Sequence, residues 1–141
     1  MKKALMLMAS VVFGTVLMGC QSEPTSQQQM QQSVTGTVAY RERILLPDNA
    51  VVTVRLQDIS LADAPATLIA EQAMETQGSQ VPFAYNLSYD ANTIKPGHTY
   101  AVSARIEVNG KLRFITDTVY AVITDENQTQ HRDLMLVGVG Q

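Results

Sequence analysis

The side chains able to do chemistry in this chain are few: one thiol, two imidazoles and some short charged runs among 141 residues. The thiol is Cys20, the only cysteine, so it cannot form an intrachain disulfide. It closes the run Leu17-Met18-Gly19-Cys20, after an apolar stretch from Ala4 that follows Lys2 and Lys3. A positive start, an apolar middle and small residues at the end are the architecture of a secretory signal. The apolar stretch is too short for a transmembrane helix, which needs roughly 20 residues. A lone cysteine at that place is a site for covalent lipid. Each buried CH₂ of an acyl chain contributes about 0.8 kcal/mol, and stable anchoring takes more than one chain.

The imidazoles are His98, in the turn Lys95-Pro96-Gly97-His98, and His131, in a polar connector. Neither has a second His or a carboxylate at metal-ligand spacing. No Gly-x-Ser-x-Gly elbow, phosphate loop or Gly-x-Gly-x-x-Gly turn occurs in the sequence. Both read as surface turn residues. A hydrolase would need one of them beside a serine and a carboxylate assembled from distant positions. The pattern implies no catalytic residue, metal or cofactor.

Three clusters remain. In Tyr40-Arg41-Glu42-Arg43, strand alternation puts Arg41 and Arg43 on one face and Tyr40 and Glu42 on the other. Tyr and Arg are the side chains of interface hot spots; a solvated face with local ion pairs is the plainer reading. The loop from Asp58 through Ser60 to Asp63 holds the oxygen ligands calcium takes. It lacks the spacing of a calcium loop, and Asp and Ser commonly cap turns. The aromatic set Tyr85, Tyr89, Tyr100, Phe114 and Tyr120 fits either a ligand groove or the core.

Positioning these groups is the work of short strands. Val34, Gly36, Val38 and Tyr40 alternate with polar or small neighbours, as do Val52, Val54 and Leu56. Thr67 to Met74 is ambiguous between two helical turns and a strand, and the flanking strands favour a strand. Pro82 to Tyr89 and Tyr100 to Val108 alternate cleanly. Asn109-Gly110 then leads into Lys111 to Ile115, the strongest short signal for a type I′ hairpin. Val119 to Thr124 and Leu134 to Val139 supply the last strands. Seven or eight short strands at this spacing predict an all-β domain. Our assignment is an antiparallel β-sandwich, immunoglobulin-like or transthyretin-like.

The chain divides into a signal at 1–19, Cys20 with a Gln-rich flexible tether at 20–33, and the β-domain at 34–141. The tether has too little apolar mass to offset its ordering entropy. The whole chain carries 10 Lys+Arg and 13 Asp+Glu. Losing Lys2 and Lys3 with the signal leaves 8 against 13, a formal net charge of −5. An acidic domain without a basic stripe is a poor nucleic-acid binder.

Two resemblances sharpen this. Leu17-Met18-Gly19-Cys20 resembles the bacterial lipobox, which implies a diacylated thiol at Cys20. In such lipoproteins Gln21, rather than Asp, implies the periplasmic face of the outer membrane. The stretch Gly36-x-Val38-x-Tyr40-Arg41-Glu42-Arg43-x-x-Leu46-Pro47 resembles the opening of the YbaY-like lipoprotein domain. That domain is grouped with the YscW family of type III secretion lipoprotein chaperones, or pilotins. The likeness continues through Val54-Arg55-Leu56-x-Asp58-x-Ser60-x-Ala62-Asp63-Ala64-Pro65, Ala104-Arg105-Ile106 and Gly110-x-Leu112-x-Phe114. It implies a small β-sandwich lipoprotein whose partner is a secretin or another envelope protein. The leading reading is a non-catalytic binding module using Tyr40, Arg41, Arg43, Asp58, Asp63 and Arg105. The alternative is an envelope-homeostasis lipoprotein binding a glycan or small apolar ligand; a hydrolase is the remote one.

Overall fold

The computed structural model describes Gly14 and residues 30–140. Cys20, and the signal and tether around it, lie outside the described residues but for Gly14 and Met30 onward. Eight strands follow in order: β1 Gln31–Tyr40, β2 Val51–Asp58, β3 Thr67–Glu75, β4 Phe83–Asp90, β5 Tyr100–Val108, β6 Lys111–Ile115, β7 Tyr120–Val122 and β8 Leu134–Gly138. A single 3₁₀ turn, Ala91–Thr93, follows β4 and is capped by the Asp90 carboxylate. Among the described residues no helix is long and apolar enough to cross a membrane.

The domain is all-β. Its hydrogen-bonded order is β3-β2-β5-β6-β8-β1-β4, with β7 beside the first part of β5. The two ends of this path, β3 and β4, lie against each other without a backbone ladder. Gln72 Oε1 bridges them by accepting from Asn86 N at 2.8 Å. The sheet is thus nearly closed and barrel-like, and the pairing does not single out an immunoglobulin-like or transthyretin-like sandwich. Nor is it wholly antiparallel. Val38–Tyr40 of β1 pair parallel with Leu134–Leu136 of β8. The polar connector after β7 carries the chain back, so that β8 runs in the direction of β1.

Alternation decides which face is inside, because successive strand side chains point to opposite faces. Val34, Val38 and Tyr40 on β1, and Phe83, Tyr85, Leu87 and Tyr89 on β4, are all buried. Thr67–Glu75 resolves as a strand, paired along β2 with a bulge at Leu56/Gln57. At Gly36 a Cβ would lie 1.7 Å from the Arg132 carbonyl oxygen, so only glycine lets the last connector close on β1. Asn109 and Gly110 take φ of 52° and 77°, as a type I′ turn requires.

Two expected boundaries move. β1 starts at Gln31, within the segment assigned to the tether, and pairs Gln31 with Asp90. It stops at Tyr40, where a bend begins, so Arg41 and Arg43 are not on a strand face. The side chain of Tyr40 turns the chain there by donating from its hydroxyl to the Ile44 carbonyl at 2.8 Å.

Candidate functional site

The β-strands give the domain two dissimilar ends. At one end lie the start of β1, the β2–β3 loop and the β4–β5 connector. Asp58, the last residue of β2, is the hub there. Its Oδ1 accepts from Ser60 N at 2.9 Å and from the Ser60 hydroxyl, and its Oδ2 accepts from His98 Nδ1 at 2.7 Å. Ser60 Oγ in turn accepts from Thr99 N at 2.8 Å, and Thr124 Oγ1 donates to the His98 carbonyl at 2.6 Å. The Ser60 hydroxyl and His98, followed by the Ser60 backbone N–H, hold the Asp58 carboxyl at about 2, well below the usual carboxylate range.

Serine, histidine and aspartate therefore do meet, but not as an acyl-transfer relay. In such a relay the imidazole stands between hydroxyl and carboxylate. Here the carboxylate stands between the other two, and the serine proton is directed at Asp58. The cluster is a latch that ties three connectors together. His131 sits apart and exposed, with Nδ1 3.2 Å from Thr35 Oγ1 and Nε2 3.3 Å from Asp133 Oδ1. Among the described residues no three His, Cys, Asp or Glu are placed to share a metal.

The opposite end is built from the connector between β1 and β2, the β5–β6 turn and the end of β8. Leu46 is buried and clamped: its N–H donates to Gln80 Oε1 at 2.9 Å, and its carbonyl accepts from Gln80 Nε2 at 3.0 Å. Thr76 Oγ1 donates to the Pro47 carbonyl at 2.6 Å. Tyr40 is only 6% exposed and stacks on Phe114 with centroids 4.2 Å apart. Such pairs are worth about 0.5–1.5 kcal/mol beyond their buried area. With the chain held at Tyr40 and Leu46, the residues between them are forced outward. Ile44 is 46% and Leu45 81% exposed, between Arg43 and the clamp.

The six residues read as one binding surface are not one surface. Tyr40 is a core anchor. Arg41 and Arg43 are exposed at the far end. Asp58 belongs to the latch, with Asp63 exposed on the loop beside it. Arg105 lies half-buried on the outer face of β5, its Nε 2.8 Å from Glu107 Oε1 but not aligned for a hydrogen bond. The Arg and Asp groups are about a strand length apart, roughly 25–30 Å. The aromatic faces that pointed to a small apolar ligand mostly fill the interior: Tyr85, Tyr89 and Tyr100 are buried, and burial pushes the Tyr85 hydroxyl pKa up. Phe114 alone of that set borders the far-end depression of about 130 Å³, beside Leu45 and Arg113. Sequence reasoning passed over Ile44, Leu45 and Arg113. The readable signal was an Ile-Leu pair out of alternation after two arginines.

Comparison with known proteins bears on these ends. Residues 29–136 match the family described as type III secretion system lipoprotein chaperone (YscW). The chain belongs to this YscW family. The YscW assignment is joined by a relative, the uncharacterized lipoprotein YbaY of Escherichia coli (strain K12), 46% identical over 118 residues. That match covers 83% of this chain, which spans 61% of the relative's length. A solved structure, an alternative pilotin from the type II secretion system of Vibrio cholerae, is 67% identical with a TM-score of 0.77. It covers 79% of this chain and 99% of its own. The family match, the lipoprotein relative and the solved pilotin thus agree on membership of the YscW family.

Proposed function

We propose that this protein is a pilotin-like lipoprotein, anchored through lipid on Cys20 at the periplasmic face of the outer membrane. It captures a segment of a secretin or another envelope protein and carries it to that membrane. The observation that supports this most is the 67% identity to a type II secretion pilotin over 79% of the chain. The layout suits the role: the chain reaches β1 at the latched end, and Arg41 and Arg43 stand free at the other. Binding, not chemistry, is the reading that fits a Ser60–Asp58–His98 cluster wired as a brace.

The test is fractionation of cells that produce the full-length protein or its Cys20→Ser variant. A secretin subunit recovered with the wild-type protein in outer-membrane fractions, and lost from them with Cys20→Ser, is the expected result. A secretin distribution that ignores both Cys20→Ser and deletion of the protein would sink the proposal.

A further inference from the structure

The far end of the domain brings cations and exposed apolar side chains together. Eight Lys or Arg follow Cys20, and four of them stand here: Arg41, Arg43, Lys111 and Arg113. All four are exposed, and none is paired with a carboxylate among the described residues. Between them lie Ile44, Leu45, Leu112 and Val139, each more than a third exposed. Arg113 joins the two halves of the patch. It lines the depression beside Leu45, and also a shallow groove of about 430 Å³ with Lys111, Leu112 and Val139. Glu42 and Asp48 are the acidic residues of the β1–β2 connector, and Glu42 Oε1 faces Gly138 N at 3.4 Å.

We infer that this cationic, apolar tip docks an acidic segment of the partner protein that also carries exposed apolar side chains. The inference rests on the pilotin-like reading and names the chemistry of what is captured. Charge decides the sign. The tip sets four cations against Glu42, Asp48 and Glu75, whereas the opposite end sets Asp58, Asp63, Asp90, Asp125 and Glu126 against Lys95, so an acidic segment is disfavoured there and favoured at the tip. Arg with exposed aliphatic neighbours is the composition of an interface centre. Reach separates a protein partner from the bilayer itself. Ten residues, 21–30, lie between Cys20 and β1, and fully extended they span about 35 Å. The ten residues of β1 rise about 33 Å from that attachment to the tip. For the tip to point straight at the anchoring membrane the tether must run almost fully extended back along the domain, so an upright domain turns it toward the periplasm.

The experiment places a photo-crosslinking amino acid at Leu45, Leu112 or Asp63 in the full-length, lipidated protein in intact cells. Crosslinked peptides are then identified by mass spectrometry. We expect the same partner segment at Leu45 and Leu112, with net negative charge and apolar residues, and none at Asp63. Paired Arg41→Glu and Arg43→Glu should lower that yield at least tenfold. Paired Arg41→Lys and Arg43→Lys, which keep the charge, should stay within about twofold. The inference is overturned by adducts at Asp63 alone, by lipid as the sole adduct at the tip, by a basic peptide there, or by a yield indifferent to charge reversal. A partner crosslinked at Asp63 alone leaves the pilotin-like reading standing, whereas no protein adduct at any position removes both.

Discussion

Gly36 is where the barrel-like sheet closes, and replacing it with alanine puts a number on that closure. The added Cβ would sit 1.7 Å from the Arg132 carbonyl oxygen and 2.5 Å from its carbon. An ordinary carbon-to-oxygen contact is about 3.3 Å, so the 130–132 segment must retreat by roughly 1.6 Å. Three of the hydrogen bonds that hold it lie at the point of contact with β1 and β4: Thr35 N to the Gln130 carbonyl at 3.0 Å, Arg132 N to the Thr35 carbonyl at 2.8 Å, and the Tyr85 hydroxyl to the Arg132 carbonyl at 2.5 Å. A typical hydrogen bond contributes about 1 kcal/mol net. Gly36→Ala should therefore destabilise by about 3 kcal/mol. For a domain of this size, with about 2.1 cal/mol/K of unfolding entropy per residue, that lowers Tm by roughly 13 °C. Tyr85→Phe removes one of the three bonds and should cost about 1 kcal/mol, near 4 °C. Thermal unfolding followed by circular dichroism, with urea titration beside it, reads both. A Gly36→Ala domain within 1 °C of wild type, or more stable than Tyr85→Phe, refutes the account.

Two more expectations concern the ends. In a double-mutant cycle of Tyr40→Ala and Phe114→Ala, urea unfolding should give a coupling of about 0.5–1.5 kcal/mol for the stack at the base of the tip; additive losses would contradict it. Asp58 should titrate with a midpoint of about 2 by carboxyl NMR. A folded value below the unfolded one, about 3.9, means that the latch contributes fully above that unfolded value and is lost as pH falls through about 2. A midpoint near 3.9 would show that Asp58 is not the hub.

What the sequence revealed follows the range of the interactions. The alternation in β1, β4 and β5 was legible because one buried face imposes a period of two. Asn109-Gly110 was legible because positive φ is a local demand. Thr67–Glu75 was ambiguous for a physical reason: β3 is an end strand, most of its residues are exposed, and a bulge breaks its register. The alternation of Tyr40-Arg41-Glu42-Arg43 misled because it ran past the last paired residue. What ends the strand is a hydroxyl reaching Ile44 and a clamp from Gln80, 34 residues beyond Leu46. The latch was hidden for the same reason, since Asp58 and His98 are 40 residues apart.

The topology suits the anchoring proposed above. The strand that follows the proposed tether, β1, is not an edge. It pairs antiparallel with β4 from Gln31 to Val38, and on its other side it meets residues 130–132 and then β8. On the proposed anchoring through Cys20, a pull would enter at Gln31–Val34, laddered to β4 on one side, and meet a second partner from Thr35 onward. The Arg41–Leu45 loop at the other end is held at Tyr40 and Leu46, with the Tyr40 hydroxyl on the Ile44 carbonyl and Glu42 Oε1 3.4 Å from Gly138 N. Loops fixed by a rigid scaffold are where binding residues collect. The proposed lipoprotein-chaperone role fits this layout: one end would take the anchor, and the other keeps apolar and cationic groups exposed on a loop carried by the sheet.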